Sequence, residues 1–176
     1  MSGPVTNYQD ARPKLFSHGL YDESSTAKQR IGTIRKLDDG RVFVYSRAGA
    51  SGLAVAKLTQ VATAIATNHN EAVAAIAAVG DTRVSVTIGG AELAADYYRD
   101  GFLHFNAADG LGHMYKIRGH KLIGSGGTGW FELYDRIRVA TTTSSKATMA
   151  KHPSDSMIVT PGGGFAPEKQ ERLERR

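Results

Sequence analysis

The sequence predicts a mainly β protein, a small antiparallel β-sandwich or barrel, and three observations support this fold class. Residues 82–88 alternate apolar and polar side chains over a full strand length, and similar short runs recur along the chain. The 20 glycines supply many turns, and an apolar fraction of 41% is enough for a packed core. Short strands separated by turns at regular spacing are typical of sandwiches and barrels.

The chain divides into three predicted segments. Residues 1–30 are polar, contain Pro4 and Pro13 and show no sustained period, so we interpret them as an extended arm, with a disordered terminus as the alternative. Residues 31–160 form the predicted β-rich body. Residues 161–176 begin with a proline and three glycines and end in charged residues without an apolar face, which predicts a mobile tail.

The first elements of the body are a hairpin and an ambiguous stretch. Residues 31–36 and 42–45 have the composition of strands, and Asp39-Gly40 between them is able to take the positive φ of a tight turn. In residues 53–79 the many alanines favour helix while the β-branched residues favour strand. Propensity alone does not decide between these two structures.

A second hairpin is predicted from the alternation that follows this stretch. Residues 72–79 are expected to pair with residues 82–88 across Gly80-Asp81. Gly89-Gly90 then ends the strand. Residues 91–98 are expected to form a short helix, because Leu93 and Tyr97 are spaced to share one helical face.

The second half of the body carries the clearest strands. Residues 102–106 and 113–117 form a predicted hairpin, since a turn containing glycines separates two runs rich in aromatic and branched residues. A glycine loop follows. Further short strands are predicted at residues 130–134, 137–139 and 157–159.

Composition and charge restrict the possible functions. The chain has no cysteine, so neither disulfides nor a thiolate metal site can hold the fold. Its formal charge of +5 permits an acidic or nucleic-acid partner, but the lysines and arginines are dispersed and form no dense basic stripe. The start of the chain lacks the apolar region of a signal peptide, and no apolar run approaches the roughly 18 residues of a membrane span. We therefore expect a protein made in the cytoplasm without a membrane segment.

Two patterns in the sequence have some likeness to cofactor or metal sites, a glycine-rich motif and a set of three histidines. Residues 124–129 match G-x-G-x-x-G, but a dinucleotide site needs a helix after that loop and the next residues are typical of a strand. His104, His113 and His120 would converge on a zinc ion only if their strands pair suitably, and their spacing matches no metal motif. We therefore interpret the glycine-rich motif as a flexible turn and His104 as a solvent-facing residue. No enzyme, metal or cofactor is predicted.

The aromatic residues of the second half allow two interpretations. They would stack on nucleic-acid bases if they shared a sheet face with Arg118 and Arg136. In strands of this length, aromatic side chains normally supply the buried layer, so a core role is favoured. The residues concerned are Phe102, Phe105, Tyr115, Trp130, Phe131 and Tyr134.

Several segments resemble small head proteins encoded by tailed bacteriophages. The likeness is carried by YYRDGFLHFN at 97–106, LYDRIRV at 133–139, AVAKLTQ at 54–60 and shorter matches at 31–33, 39–41, 43–45 and 115–117, and it spans about residues 31–160. The resemblance implies a capsid cement or decoration protein that is β-rich, has no cofactor and clusters as trimers at the three-fold positions of the shell. Such relatives continue into another apolar β segment after the region of Val159, whereas this chain ends in a charged tail.

The expected function is therefore structural and not enzymatic. The resemblance implies a homotrimer that is made in the host cytoplasm, binds the outer face of the major capsid protein lattice and stabilises the phage head, without membrane or nucleic-acid partners. An arm that gains affinity by ordering on a neighbour fits such a role. The alternatives are a receptor-binding or fibre-base module with Trp130 as its aromatic platform and, behind it, a basic DNA-binding accessory protein. The candidate capsid contacts lie on the arm and are Arg12, Phe16, Leu20 and Tyr21.

Overall fold

The computed structural model describes residues 18–53, 57–61 and 68–164, and their regular secondary structure is nearly all β. Strand accounts for 38% and helix for 1%, which confirms the predicted mainly β fold. The predicted tail from residue 165 onward and residues 1–17 of the predicted arm lie outside the described residues. The described strands are β1 (Ile34–Lys36), β2 (Val42–Val44), β3 (Lys57–Gln60), β4 (Glu71–Ala75), β5 (Arg83–Thr87), β6 (Phe102–Ala107), β7 (Met114–His120), β8 (Thr128–Leu133), β9 (Lys146–Ala150) and β10 (Ile158–Gly164).

Strands β4 to β9 close into a barrel in the order β4-β5-β8-β7-β6-β9, and every neighbouring pair is antiparallel. Closure pairs β9 with β4 and so leaves the barrel without an open sheet edge. Side chains alternate across the barrel wall, as in β6, where Leu103 and Phe105 are buried between more exposed neighbours. The largest fully buried strand residues are Val73, Val84, Val86, Leu103, Phe105, Ile117, Phe131, Leu133 and Met149.

The three predicted hairpins are present. Strand β1 pairs with β2 around Gly40, whose φ of 87° is the left-handed turn conformation expected there. Strand β4 pairs with β5, and β6 with β7. Strand β4 ends at Ala75 and does not reach residue 79, because Ala77 leaves the sheet and exchanges hydrogen bonds with Thr141 instead.

The predicted short helix at residues 91–98 is wrong. These residues form turns, and Asp96 adopts a φ of 59°, outside the right-handed helical region. The N–H of Leu93 donates to the carbonyl of Ile123 at 2.8 Å, and the N–H of Asp96 donates to the carbonyl of His120 at 2.9 Å. These bonds, to the end of β7 and to the loop that follows it, replace the intrahelical bonds, which a helix of this length makes only weakly on its own.

The predicted strand at residues 137–139 is also wrong. Ile137 is buried, but its backbone exchanges hydrogen bonds of 2.8 Å with Gly80 and Asp81 in the β4–β5 loop. The N–H of Arg138 donates to the Tyr115 hydroxyl at 3.0 Å. The segment is therefore a loop that packs against another loop at one end of the barrel.

The sequence did not indicate strand β9. Its three central residues, Ala147, Thr148 and Met149, are all buried, but the strand is short and contains no valine, isoleucine or aromatic residue, so its composition is not that of a typical strand. The Thr148 hydroxyl accepts a hydrogen bond of 3.0 Å from the N–H of Asn70 on the outer side. The segment that enters β4 thus covers the outside of β9.

Two antiparallel ribbons lie outside the barrel sheet, namely β1–β2 and β3–β10. Strands β3 and β4 account for residues 57–60 and 71–75 of the ambiguous stretch 53–79, and none of its described residues lies in an α-helix. Strand β10 continues past the predicted body boundary at residue 160 and includes Pro161, which a ribbon with an open edge can accommodate. Among the helices that the structure describes, none is long and apolar enough to cross a membrane.

Candidate functional site

The β1–β2 hairpin and the chain before it form a small unit on the outside of the barrel, here named the N-terminal lobe (residues 18–50). Tyr45 lies at its centre. The Tyr45 hydroxyl accepts a hydrogen bond of 3.0 Å from the N–H of Lys28, and the His18 ring meets the Tyr45 ring edge-on at 5.7 Å. The backbone of Tyr45 also bonds to Gly32 and Thr33 at 2.9 and 2.8 Å. The segment before β1 is thus folded around the residue that follows β2.

Asp100 is the first attachment of the lobe to the barrel. Its side chain accepts a hydrogen bond of 3.2 Å from the N–H of Ile31 and one of 3.1 Å from the Tyr134 hydroxyl. Asp100 and Ile31 are each only 5% exposed. The Arg30 guanidinium lies 4.4 Å from the centre of the Tyr134 ring. Burial and the neighbouring Asp100 carboxylate raise the pKa of Tyr134, so the phenol keeps the proton that it donates.

The second attachment is an ion pair between Arg47 and Asp155. The Arg47 guanidinium donates two hydrogen bonds, of 2.6 and 2.7 Å, to the two oxygens of the carboxylate. The Asp155 side chain is fully buried, while 51% of the Arg47 side chain is exposed. Hydrogen bonds of 2.9 Å join the backbone of Arg47 to Ser154 and Met157. Bidentate pairs of this kind fix orientation as well as distance, so the end of the lobe is held rigidly on the barrel.

His152 fills the space between these two attachments. Its ring stacks on Phe102 with 5.7 Å between centroids and packs against the backbone of Gly32, which leaves no room for a Cβ atom at that position. Gly32 also has a φ of 83°, so a side chain there would be both strained and obstructed. Burial, followed by the nearby Lys116 ammonium, lowers the pKa of His152.

Two histidines with lowered pKa values, the buried His120 and the half-buried His152, predict a loss of stability in acid. The Tyr98 N–H donates to Nε2 of His120 at 3.2 Å, so that ring is neutral with its proton on Nδ1, 2.8 Å from the carbonyl of Lys121. Burial lowers the pKa of His120 as it does that of His152. Both groups take up protons more readily when the chain is unfolded. Their contribution is therefore complete above the ordinary histidine pKa of about 6.5 and is lost as the pH falls below it.

We expect the free energy of unfolding, measured by urea titration, to decrease from about pH 6.5 towards pH 5. The His120→Gln variant cannot be protonated in this range, so its stability should depend less steeply on pH. His69 is exposed and provides the matched control, His69→Gln, whose profile should follow that of the unmodified protein. Equal slopes for all three proteins would contradict this assignment of the titrating group.

The β1–β2 hairpin carries an exposed apolar surface, here named the hairpin strip (Ile34, Val42 and Val44). Ile34 lies opposite Val44 in the hairpin and Lys36 lies opposite Val42, so all four side chains share one face. The three apolar residues are 56%, 56% and 43% exposed. An apolar strip beside a lysine is suited to contact another protein, because full burial of one aliphatic side chain contributes about 1.5–3 kcal/mol.

The structure places two of the four candidate capsid contacts in this lobe. Leu20 is half-buried in a cleft beside β2 that Phe43 and Tyr45 also line, and Tyr21 is 79% exposed, with its side chain hydrogen-bonded to Arg41. The other two, Arg12 and Phe16, lie outside the described residues. The hairpin strip and the two attachment carboxylates were not foreseen from the sequence. Apolar residues in a predicted hairpin suggest core, and a single aspartate in a loop has no local signal.

The glycine-rich motif begins with a turn, and two of the three histidines pack against aromatic rings. Residues 124–127 form a turn that leads directly into strand β8, so the glycine-rich motif is not followed by a helix. His113 stacks on Tyr115 at 6.3 Å, while His120 packs on Phe131 at 4.8 Å. The described part of the chain contains no group of three or more metal-binding side chains.

The predicted core role of the aromatics holds for three of them. Phe105, Tyr115 and Phe131 belong to the buried core, whereas Trp130 is 44% exposed. Phe102 and Tyr134 are half-buried near the lobe. The two attachments thus fix the N-terminal lobe to the barrel while the hairpin strip stays exposed. Comparison of the chain with protein-family models, with curated proteins and with solved structures finds no match.

Proposed function

We propose that this protein is a decoration (cement) protein of a tailed bacteriophage head, which binds the outer surface of the major capsid protein lattice and stabilises the shell. The observation that carries the proposal is the N-terminal lobe, in which an exposed apolar strip is fixed to a closed barrel by the buried carboxylates of Asp100 and Asp155. The sequence resemblance to phage head proteins over about residues 31–160 supports the same role.

The physical basis of such a function is multivalent binding. Each copy needs only a modest contact, because many copies that each bridge neighbouring capsid subunits together oppose the opening of the shell. The two attachments matter here, since a contact made by the lobe restrains the capsid only if the lobe does not swing on the barrel. A barrel without an open edge also avoids unwanted strand pairing between crowded copies.

A homotrimer is part of the proposal. The β1–β2 and β3–β10 ribbons present strand edges that another copy of the chain is able to cover. Leu58 on β3 and Val61 beside it are 57% and 55% exposed, and a subunit contact would remove them from water. Closed symmetry is the rule for homo-oligomers, and a trimer matches the three-fold positions of a capsid.

The test is occupancy on particles assembled from the major capsid protein encoded in the same genome. The Val44→Asp variant places a charge in the hairpin strip and should reduce the amount of protein that sediments with the particles by about tenfold, equivalent to roughly 1.4 kcal/mol. Val79→Asp is the matched control, because Val79 is 66% exposed in the β4–β5 loop, away from the lobe. Its occupancy should equal that of the unmodified protein. The proposal is wrong if the unmodified protein does not bind, or if the two variants bind equally well.

A further inference from the structure

Two open clefts on the outside of the protein join into one groove. The larger, of about 890 Å³, crosses strands β5, β7 and β8 of the barrel wall. The smaller, of about 490 Å³, runs along residues 27–31 of the N-terminal lobe. Asp96 and Arg99 line both clefts, so the two are continuous. Together they are here named the basic groove.

The basic groove has a net positive charge close to that of the whole chain. Its lining includes seven lysines and arginines and three carboxylates, an excess of four positive charges, whereas the whole chain has a formal charge of +5. The larger cleft contributes Arg83, Arg118 and Lys121, the smaller contributes Lys28, Arg30 and Arg47, and Arg99 belongs to both. Cations gathered along one cleft attract anionic groups more strongly than the same charges dispersed over a surface.

Part of this charge is available to a ligand. Glu132 pairs with Arg118 at 2.8 Å, and Asp96 pairs with Arg99 at 3.3 Å. Within residues 18–53, 57–61 and 68–164, neither Arg83 nor Lys121 forms an ion pair. These two cations therefore lie in the larger cleft without an ion-pair partner in the described part of the chain.

Trp130 adds an apolar anchor to the same cleft. It is 44% exposed on strand β8, and the Arg83 guanidinium lies 4.5 Å from the centre of its ring. The two residues are diagonal neighbours on paired strands, since Ser85 is opposite Trp130 and Arg83 is opposite Glu132. Tryptophan and arginine are the side chains that most often dominate the energy of a protein interface.

We infer that the basic groove binds an acidic, extended segment of a partner protein, with carboxylates beside Arg83 and Lys121 and one apolar side chain on Trp130. The charge of the groove selects an anionic ligand. Asp96 and Glu132 are interspersed among the cations, and they would repel a continuous row of phosphates but are compatible with a peptide in which charges are spaced. Sites for single-stranded nucleic acid use several stacking aromatics, whereas Trp130 is the one exposed aromatic residue that lines the larger cleft, since His120 is only 6% exposed.

This inference is separate from the proposed function, because the larger cleft lies on the barrel wall and the hairpin strip lies on the lobe. It would hold for an acidic segment of a capsid protein and equally for any other protein partner. It also assigns a binding role to Trp130, whose exposed side chain is not part of the core.

The chain provides its own reporter for the test, because Trp130 is its single tryptophan. The probe is a synthetic peptide of about ten residues, in which aspartate or glutamate alternates with serine around a central leucine, and it spans roughly 33–36 Å when extended. We expect the peptide to shift the emission of Trp130 and the shift to saturate. Added salt should weaken the binding, since the attraction is electrostatic.

Paired variants locate the site. Arg83→Gln with Lys121→Gln should weaken peptide binding by about tenfold or more. Arg136→Gln with Arg138→Gln removes the same charge from exposed positions in the loop after β8 and should leave the affinity unchanged within about twofold. Unchanged circular dichroism of both double variants guards against loss of the fold.

Three outcomes would overturn the inference. One is the absence of a saturable change in Trp130 emission up to about 1 mM peptide, the weak limit of specific binding. Another is an equal loss of affinity in both double variants, which would show attraction by net charge alone. The third is tighter binding of a thymidine oligonucleotide of equal length at the same ionic strength with the same dependence on Arg83 and Lys121, which would make the groove a nucleic-acid site.

Discussion

Replacing Phe131 by alanine should lower the free energy of unfolding by about 3–5 kcal/mol, because a fully buried aromatic side chain is lost and a cavity remains. Phe131 is 0% exposed and contacts the His120 ring with 4.8 Å between centroids. It lies on β8, between β5 and β7, and its side chain belongs to the core, so the cavity would open inside the barrel. Urea unfolding followed by circular dichroism would measure the loss.

The neighbouring residue provides the control for this prediction. Trp130→Ala removes a side chain of similar size, yet Trp130 points to the outer face and is 44% exposed, so the expected cost is about 1 kcal/mol, chiefly from the contact with Arg83. The difference between the two variants tests the register of β8. If Trp130→Ala proved as destabilising as Phe131→Ala, the inward and outward faces of this strand would be assigned wrongly.

Replacing Arg47 by methionine should cost about 3 kcal/mol, the low end of the range for breaking a buried ion pair. Methionine keeps the apolar stem but leaves the fully buried Asp155 carboxylate with the Ser156 hydroxyl, at 3.1 Å, as a remaining side-chain donor. The low end applies because half of the Arg47 side chain is already exposed and water can approach the carboxylate. Since this pair holds the end of the N-terminal lobe, trypsin should cut the lobe faster in the variant.

Two further variants distinguish the loss of stability caused by the unpaired Asp155 carboxylate from the loss that any substitution of an arginine would cause. Combining Arg47→Met with Asp155→Asn removes the buried charge and should recover part of the lost stability, as expected when both members of an ion pair are replaced. Arg138→Met changes an exposed arginine on a loop and should alter stability by no more than about 0.5 kcal/mol. A double variant less stable than Arg47→Met would show that the ion pair is not what holds Asp155.

The hairpins were predictable because their signals are local. Gly40 lies between two strands at the position that requires a positive φ. The alternation of residues 82–88 and 102–106 directs every second side chain into the barrel. A period of two and a turn residue are both properties of a few consecutive amino acids. Such features depend on a short stretch of sequence and not on where the rest of the chain lies.

The errors arose where distant residues decide local structure. Strand β9 contains no valine, isoleucine or aromatic residue, and its Thr148 is bonded by Asn70, which is far away in sequence. Residues 91–98 contain helix-compatible spacing, yet backbone bonds to Ile123 and His120 hold them as turns. Neither partner is identifiable from the sequence of the segment itself.

Little of the candidate site could be predicted from the sequence. That the arm carries capsid contacts stays a prediction, and the structure places its residues Leu20 and Tyr21 in the N-terminal lobe. The exposed hairpin strip was not foreseen, because a valine in a strand has the same local pattern whether a core or a partner covers it. The distinction depends on whether the hairpin joins the barrel sheet, which is a property of the whole fold.

The position of β9 has a consequence for the order in which the chain acquires its structure. Strand β4 pairs with β5, which follows it directly, and with β9, from which residues 76–145 separate it. Until β9 has been synthesised, the barrel is an open sheet with two unpaired edges, and closing so long a loop slows folding. Arg47 must likewise wait for Asp155, 108 residues later. The N-terminal lobe is therefore made early by the ribosome but is among the last parts to be fixed, and the nascent protein exposes both its apolar strip and its sheet edges during that interval.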